Sequence, residues 1–280
     1  MTPPDRLAGT PRDAIARRVS ELFTDPDRPD PPVRRSSEAL FAPDSMAWRV
    51  HGDVGAMMVG GIASLLMQML HPAVLAGVWD HSAFRENMQG RLRSTARFIA
   101  RTTYAARPEA EAAIARVRAI HERVCGTLPD GTPYRASDPA LLAWVHVTET
   151  SCFVEAWRRH VAPGATLAEQ NRYLDEMARI GLALGAAPVP RSRREAQALM
   201  ASTRPQLRVD DRTVEVARLL REQPGGNLPG PIRGLLMQAA LDLLPGWAQA
   251  MHARTPLRPP RPLVRLAATG AASTLRWALR

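Results

Sequence analysis

Residues 51–104 read HGDVGAMMVGGIASLLMQMLHPAVLAGVWDHSAFRENMQGRLRSTARFIARTTY, and this stretch decides the fold. Its first half holds the longest apolar run of the chain, Met57 to Trp79, and its second half is rich in arginine and threonine. The run is long enough to cross a bilayer. Gln68, His71, Pro72 and several small residues interrupt it, however, so a buried helical hairpin or a kinked helix is the better reading. The glycines of VGGIAS fit close packing between helices. Asp80, His81 and Ser82 close the run with a turn that can start a new helix. In the second half Arg91 and Thr95 stand four apart, so on a helix they share a face that Phe98 and Thr102 continue.

Outward from this stretch the pattern stays helical. Before it, Ile15, Val19, Leu22 and Phe23 form one stripe within Arg12–Thr24, and the Pro-, Asp- and Arg-rich residues 25–35 read as a linker. Residues 1–45 are thus expected to form an arm, its helix docking on the body or on a second subunit, and 46–280 to form one large domain. After it, Arg107-Pro108-Glu109 begins a helix that runs to Val124 and ends at Gly126. The inward stripe of this helix is Ile114, Val117, His121 and Val124 or Cys125. Asp130-Gly131 is a turn, and Ser137-Asp138-Pro139 starts LLAWVHVTETSCFVEAWRRH, apolar almost all round and therefore central.

Thr166/Glu169 and Ser192/Glu195 have capping-box spacing. Helices follow over Val214–Arg221 and Ile232–Leu244, and a basic amphipathic segment, Pro262–Arg280, closes the chain. No run of alternating β-branched residues and no internal repeat appears. The expected fold class is all-α, a single large helical domain.

Composition narrows the functions. With 280 residues, 45% of them hydrophobic, the chain can bury a sizeable core. The net charge of +10 comes from 37 basic residues, all arginine, spread along nearly every helix rather than clustered. A nucleic-acid partner is therefore not expected, whereas the basic C-terminal segment suggests peripheral contact with an anionic membrane. Two cysteines without a C-x-x-C argue against a disulfide framework or a zinc site and suit a reducing compartment. The N-terminus lacks an uninterrupted apolar signal core, so a cytoplasmic location is expected.

Several blocks then occur together and in order: LLMQMLHPAV, AGV, DHS, GRLRST, HERV, GTLPDGTPY and WVHVT. This series resembles the DUF2236 family, which contains the MpaB-type oxygenases and the latex clearing (rubber) oxygenases. The resemblance implies a haem b oxidoreductase using O2 on a small hydrophobic substrate, at an electron-rich C=C or a C–H position. It implies an iron held by one proximal histidine about thirty residues after an Arg-x-x-x-Thr motif. Here that motif is Arg91-Leu-Arg-Ser-Thr95, and His121 follows Arg91 by thirty. By resemblance His121 is the iron ligand, while Arg91 and Thr95 sit beside the haem, the guanidinium facing a propionate or bound oxygen. One departure stands out: the rubber oxygenases carry a lysine just before the threonine, where this chain has Ser94, so a different resting coordination of the iron is expected.

The bland readings stay open beside these. A lone histidine on an apolar stripe is by default a core residue whose ring nitrogens are satisfied, and Arg91 and Thr95 also suit a solvated helix face. His71 before Pro72 suits a helix end, and Asp80 and Ser82 suit a cap. Their alternative, for His71 and His81, is a distal acid/base or a channel position. His146, three before Glu149, forms a His–carboxylate pair that is structural or supports the cofactor. Glu-x-x-His pairs for a di-iron site, G-x-S-x-G, a P-loop and a Rossmann fingerprint are all absent. The competing function is a haem-free helical scaffold or lipid-binding protein with structural histidines.

Overall fold

The computed structural model describes residues 32–222 and 230–257. The predicted helix at Arg12–Thr24 and the basic segment Pro262–Arg280 lie outside the described residues. Within them the chain is all-α, as expected, with eleven α-helices and one small two-stranded hairpin. Ser45 caps α1 (Met46–His51), and Asp53 caps α2 (Val54–Gln68) by accepting from Ala56 N at 2.8 Å.

The apolar run is bent, not straight. Pro72 forces His71 out of the helical region, to φ −90° and ψ 116°, so the next helix, α3 (Pro72–His81), leaves α2 at 106°. Among the described residues no single helix is long and apolar enough to cross a membrane, although the bent pair passes by length and composition. Asp80 and Ser82 do not start a helix as expected. Asp80 accepts from Tyr134, Ser82 is the C-cap of α3, and α4 (Met88–Tyr104) begins later, with Asn87 as its cap.

Next comes α5 (Arg107–His121), which ends at His121 rather than running on to Val124. The residues after it form β1 (Cys125–Thr127), paired antiparallel with β2 (Pro133–Arg135) around the Asp130-Gly131 turn. Glycine suits that turn because its φ is +87°. Asp138 then caps α6 (Pro139–His160), the central helix. Its Trp144 and Val147 are wholly enclosed, and α2 packs along it. Gly60 permits that contact: a Cβ there would lie 2.8 Å from Phe153 Cδ1 and 3.1 Å from the Cys152 carbonyl.

Around this pair stand α7 (Leu167–Leu184), α8 (Arg193–Thr203), α9 (Asp211–Glu222), α10 (Gly230–Leu243) and α11 (Gly246–His252). Thr166 and Glu169 complete a reciprocal capping box on α7. The second predicted box is half formed: Ser192 accepts from Glu195 N, but the Glu195 carboxylate takes Arg191 N and the Ser192 hydroxyl. Glu155 on α6 binds Arg158, Arg159 and Arg193, and Arg159 also reaches Asp242, which ties α6 to α8 and α10. Burial alone would raise the Glu155 pKa, but hydrogen bonds from Arg158 and Arg159 outweigh it and lower the value to about 2.

The arrangement of α4 and α5 matters most for function. They pack on one another, α4 leans on α1 and α5 leans on α7, while neither packs closely along α6. A gap therefore opens between this helical pair and the centre of the domain.

Candidate functional site

Four helices and one short one wall the gap. Phe98, Ile99 and Thr102 come from α4 and His121 from the end of α5. Leu142, Val145, His146, Glu149 and Phe153 come from α6, Met177, Ile180 and Gly181 from α7, and His51 from α1. The space measures about 550 Å³ counted out to solvent, and its innermost cavity about 50 Å³. The wall is mainly apolar, so each polar group on it needs its own explanation.

His51 is fully accounted for. Its Nδ1 lies 2.7 Å from Thr103 Oγ1 and its Nε2 2.8 Å from the Tyr173 hydroxyl. Thr103 donates its own proton to the Ile99 carbonyl at 2.7 Å. Its oxygen therefore accepts from His51 Nδ1–H, and His51 Nε2 accepts from Tyr173. Burial holds this ring neutral, with its pKa lowered to about 3. The Thr102 and Thr150 hydroxyls donate to carbonyls of their own helices, from Phe98 and His146.

Three polar groups on the wall have no such partner. His121 is half-buried, and neither of its ring nitrogens bonds to a described protein group; Nδ1 is fully enclosed. Its pKa is lowered, first by burial and then by the charge of Arg91, with Glu122 opposing. His146 is buried on α6, its pKa lowered to about 4 by burial, and its ring rests against Gly181. Glu149, one turn further along, is partly buried with no ion pair or hydrogen bond among the described residues, and burial raises its pKa to about 7.

The residues singled out from the sequence thus separate into groups. His121 and His146 meet in one cavity. Arg91 and Thr95 lie on the same helix as Phe98 and Thr102, nearer its N-terminus, and do not line the cavity. Thr95 is exposed and donates to the Arg91 carbonyl at 3.1 Å. Arg91 is exposed by area, yet surrounding protein crowds its guanidinium enough to lower its pKa, and its charge reaches His121.

His71 and His81 stand outside the cavity. His71 caps α3, with Nε2 3.2 Å from Gln206 Oε1 and Nδ1 buried without a partner. His81 is exposed and donates from Nε2 to the Cys125 carbonyl at 2.9 Å. His51, Tyr173 and Thr103 escaped the sequence reading.

Among the described residues no group of three His, Cys, Asp or Glu side chains gathers to hold a bare metal ion. A porphyrin iron asks less, since the macrocycle fills four positions and the protein supplies one axial imidazole. An uncommitted His121 ring facing an apolar gap fits that donor requirement. The inner cavity is far below the roughly 300–1,000 Å³ of cofactor and ligand sites, so only the whole gap out to solvent offers the room.

Comparison with known proteins settles the family. The model for the catalytic domain of ER-bound oxygenase mpaB/B′ and rubber oxygenase matches residues 48–277. The chain belongs to this family. The match takes in every wall of the cavity and bears out the resemblance carried by the DHS, GRLRST and WVHVT blocks. It makes the chain an oxygenase catalytic domain at the level of class. No curated protein and no solved structure matches the chain.

Proposed function

We propose that this oxygenase domain is haem b-dependent and acts with O2 on a small hydrophobic substrate. The observation that carries the reading is the His121 ring, uncommitted at both nitrogens, at the edge of an apolar gap between α4–α5 and α6. An unsatisfied buried polar nitrogen costs about 1–3 kcal/mol, a cost that a bound partner relieves. Haem bound there supplies oxygen binding and activation at its iron. The chain supplies the rest. His121 would hold the haem iron through a ring nitrogen, kept neutral and so able to coordinate by burial and by the nearby Arg91 charge. Phe98, Leu142 and Phe153 exclude water from the gap, and His146 and Glu149 present ring nitrogens and a carboxyl to whatever lies between the helices.

The second reading, a haem-free lipid-binding or scaffold protein, draws on the narrowness of the inner cavity. Protein purified with ample iron and haem supply decides between them. A Soret band that persists through gel filtration supports the oxygenase reading, and colourless protein that takes up no added haemin supports the alternative.

A further inference from the structure

Glu149 is the one acid among the three polar groups of the cavity wall that have no partner among the described residues. His51 has a partner on each nitrogen, Thr102 and Thr150 bond to their own helices, and His121 and His146 are rings that burial keeps neutral. The Glu149 carboxyl has no described protein donor and no cation, and it stands one turn from His146 on the same face of α6. Phe153, Met177 and Ile180 line the same cavity with apolar surface. The titratable groups that line the cavity with it, or that its charge reaches, offer no positive charge at neutral pH, and burial alone shifts its own pKa. These are neutral His51 on α1, His121 on α5, His146 and Cys152 on α6, and Tyr173 on α7. An acid placed in such a pocket is costly unless something that enters the pocket bonds to it.

We infer that Glu149 is the specificity-determining anchor of the cavity, selecting ligands that carry a hydrogen-bond-donating head, a hydroxyl or an amine, on an apolar body. The inference rests on the proposed reading of this gap as the place where the oxygenase meets its substrate, and the selectivity it claims is read out independently of haem content. The head bonds to the carboxyl while the body lies against Phe98, Leu142 and Met177. A ligand ending in a carboxylate meets like charge once Glu149 ionises and is refused. Refusal of the wrong head group by an unpaired buried polar group is a strong form of selectivity.

The test uses the full-length protein and three probes of equal apolar body: hexan-1-ol, hexylamine and hexanoate. Their dissociation constants are measured at pH 8 by calorimetry. The expected order has hexylamine and hexan-1-ol binding at least about tenfold more tightly than hexanoate, a gap of about 1.4 kcal/mol. In Glu149→Gln hexan-1-ol still finds an acceptor in the amide oxygen and hexylamine loses its ion pair, while hexanoate, freed of like charge and offered the amide N–H, gains on both. In Glu149→Leu both fall to the level of hexanoate, with circular dichroism confirming the helical fold. An unchanged order in Glu149→Leu, hexanoate binding as tightly as the alcohol, or no binding of any probe overturns the inference. Haem content is recorded on the same preparations, so that a failure of the haem reading, visible as absent haem beside intact probe selectivity, is told apart from a failure of this one.

Discussion

A Cβ placed on Gly181 would lie 3.0 Å from both Cδ2 and Nε2 of His146, so the His146 ring occupies space that α7 leaves open only by carrying glycine there. The position of the ring in the cavity therefore depends on a residue that has no chemistry of its own. Gly181→Ala sets overpacking of about 1–3 kcal/mol against a helical gain of about 0.5–1 kcal/mol, so in the wild type it should be less favourable than a helical Gly→Ala alone. Most of the overpacking should vanish in a His146→Ala background, since the clash has one partner. A double-mutant cycle by urea unfolding checks this; additive costs would place the strain elsewhere.

The Tyr173–His51–Thr103 chain makes a second prediction. Tyr173→Phe removes the donor to His51 Nε2 and leaves that nitrogen buried and unsatisfied, at an expected cost of about 1–3 kcal/mol. Thr103→Val should cost a similar amount, because it removes the acceptor for Nδ1–H. Thermal unfolding of the two variants measures both effects.

How much of this was legible beforehand follows from the kind of signal each residue gives. The central helices announced themselves through long apolar periodicity, and Asp138 and Thr166 marked helix starts through local side-chain chemistry. His51 gave no signal because it ends a helix of six residues, and its partners Thr103 and Tyr173 lie 52 and 122 residues away. The strands of three residues are too short to show alternation, which is why the hairpin partners of His81 and Asp80, the Cys125 carbonyl and the Tyr134 hydroxyl, are not legible in the sequence. Glu149 was noticed only as a neighbour of His146. That it faces an apolar gap without a partner is a fact of helix packing, settled where α4 and α5 stand away from α6.

Stability should respond to pH in opposite directions at two kinds of group. His51 and His146 have folded pKa values lowered to about 3 and about 4, so the stability they contribute is present above the unfolded value of 6.5 and is lost as pH falls toward 4 and below. Glu149 has a folded pKa raised to about 7 from 4.5, so its contribution is present below 4.5 and is lost as pH rises through 7. The stability of the wild type minus that of Glu149→Gln should therefore fall between pH 4.5 and 7, by up to ~3 kcal/mol. A difference that stays flat across this window would mean that the carboxyl is solvated.

Arg91 should be felt at His121 without touching the cavity wall. Its charge lowers the His121 pKa, so Arg91→Gln should raise it, as followed by NMR titration of the imidazole protons in haem-free protein. With haem present, Arg91 and Thr95 variants should retain much of the cofactor and lose oxygen-dependent turnover. An unmoved His121 titration would show that the guanidinium points elsewhere in solution.

The central claim is that His121 holds a haem iron in the gap between α4–α5 and α6, and haem bound per folded chain tests it most directly. The measurement compares wild type, His121→Ala, His146→Ala and His71→Ala, each purified with equal haem supply and verified by circular dichroism. The account predicts a haem-loaded wild type, loss of haem in His121→Ala with the helical signal intact, and substantial retention in His146→Ala and His71→Ala. Full haem in His121→Ala together with loss in either of the others would contradict the ligand assignment, and a wild type that binds no haem at all would contradict the account.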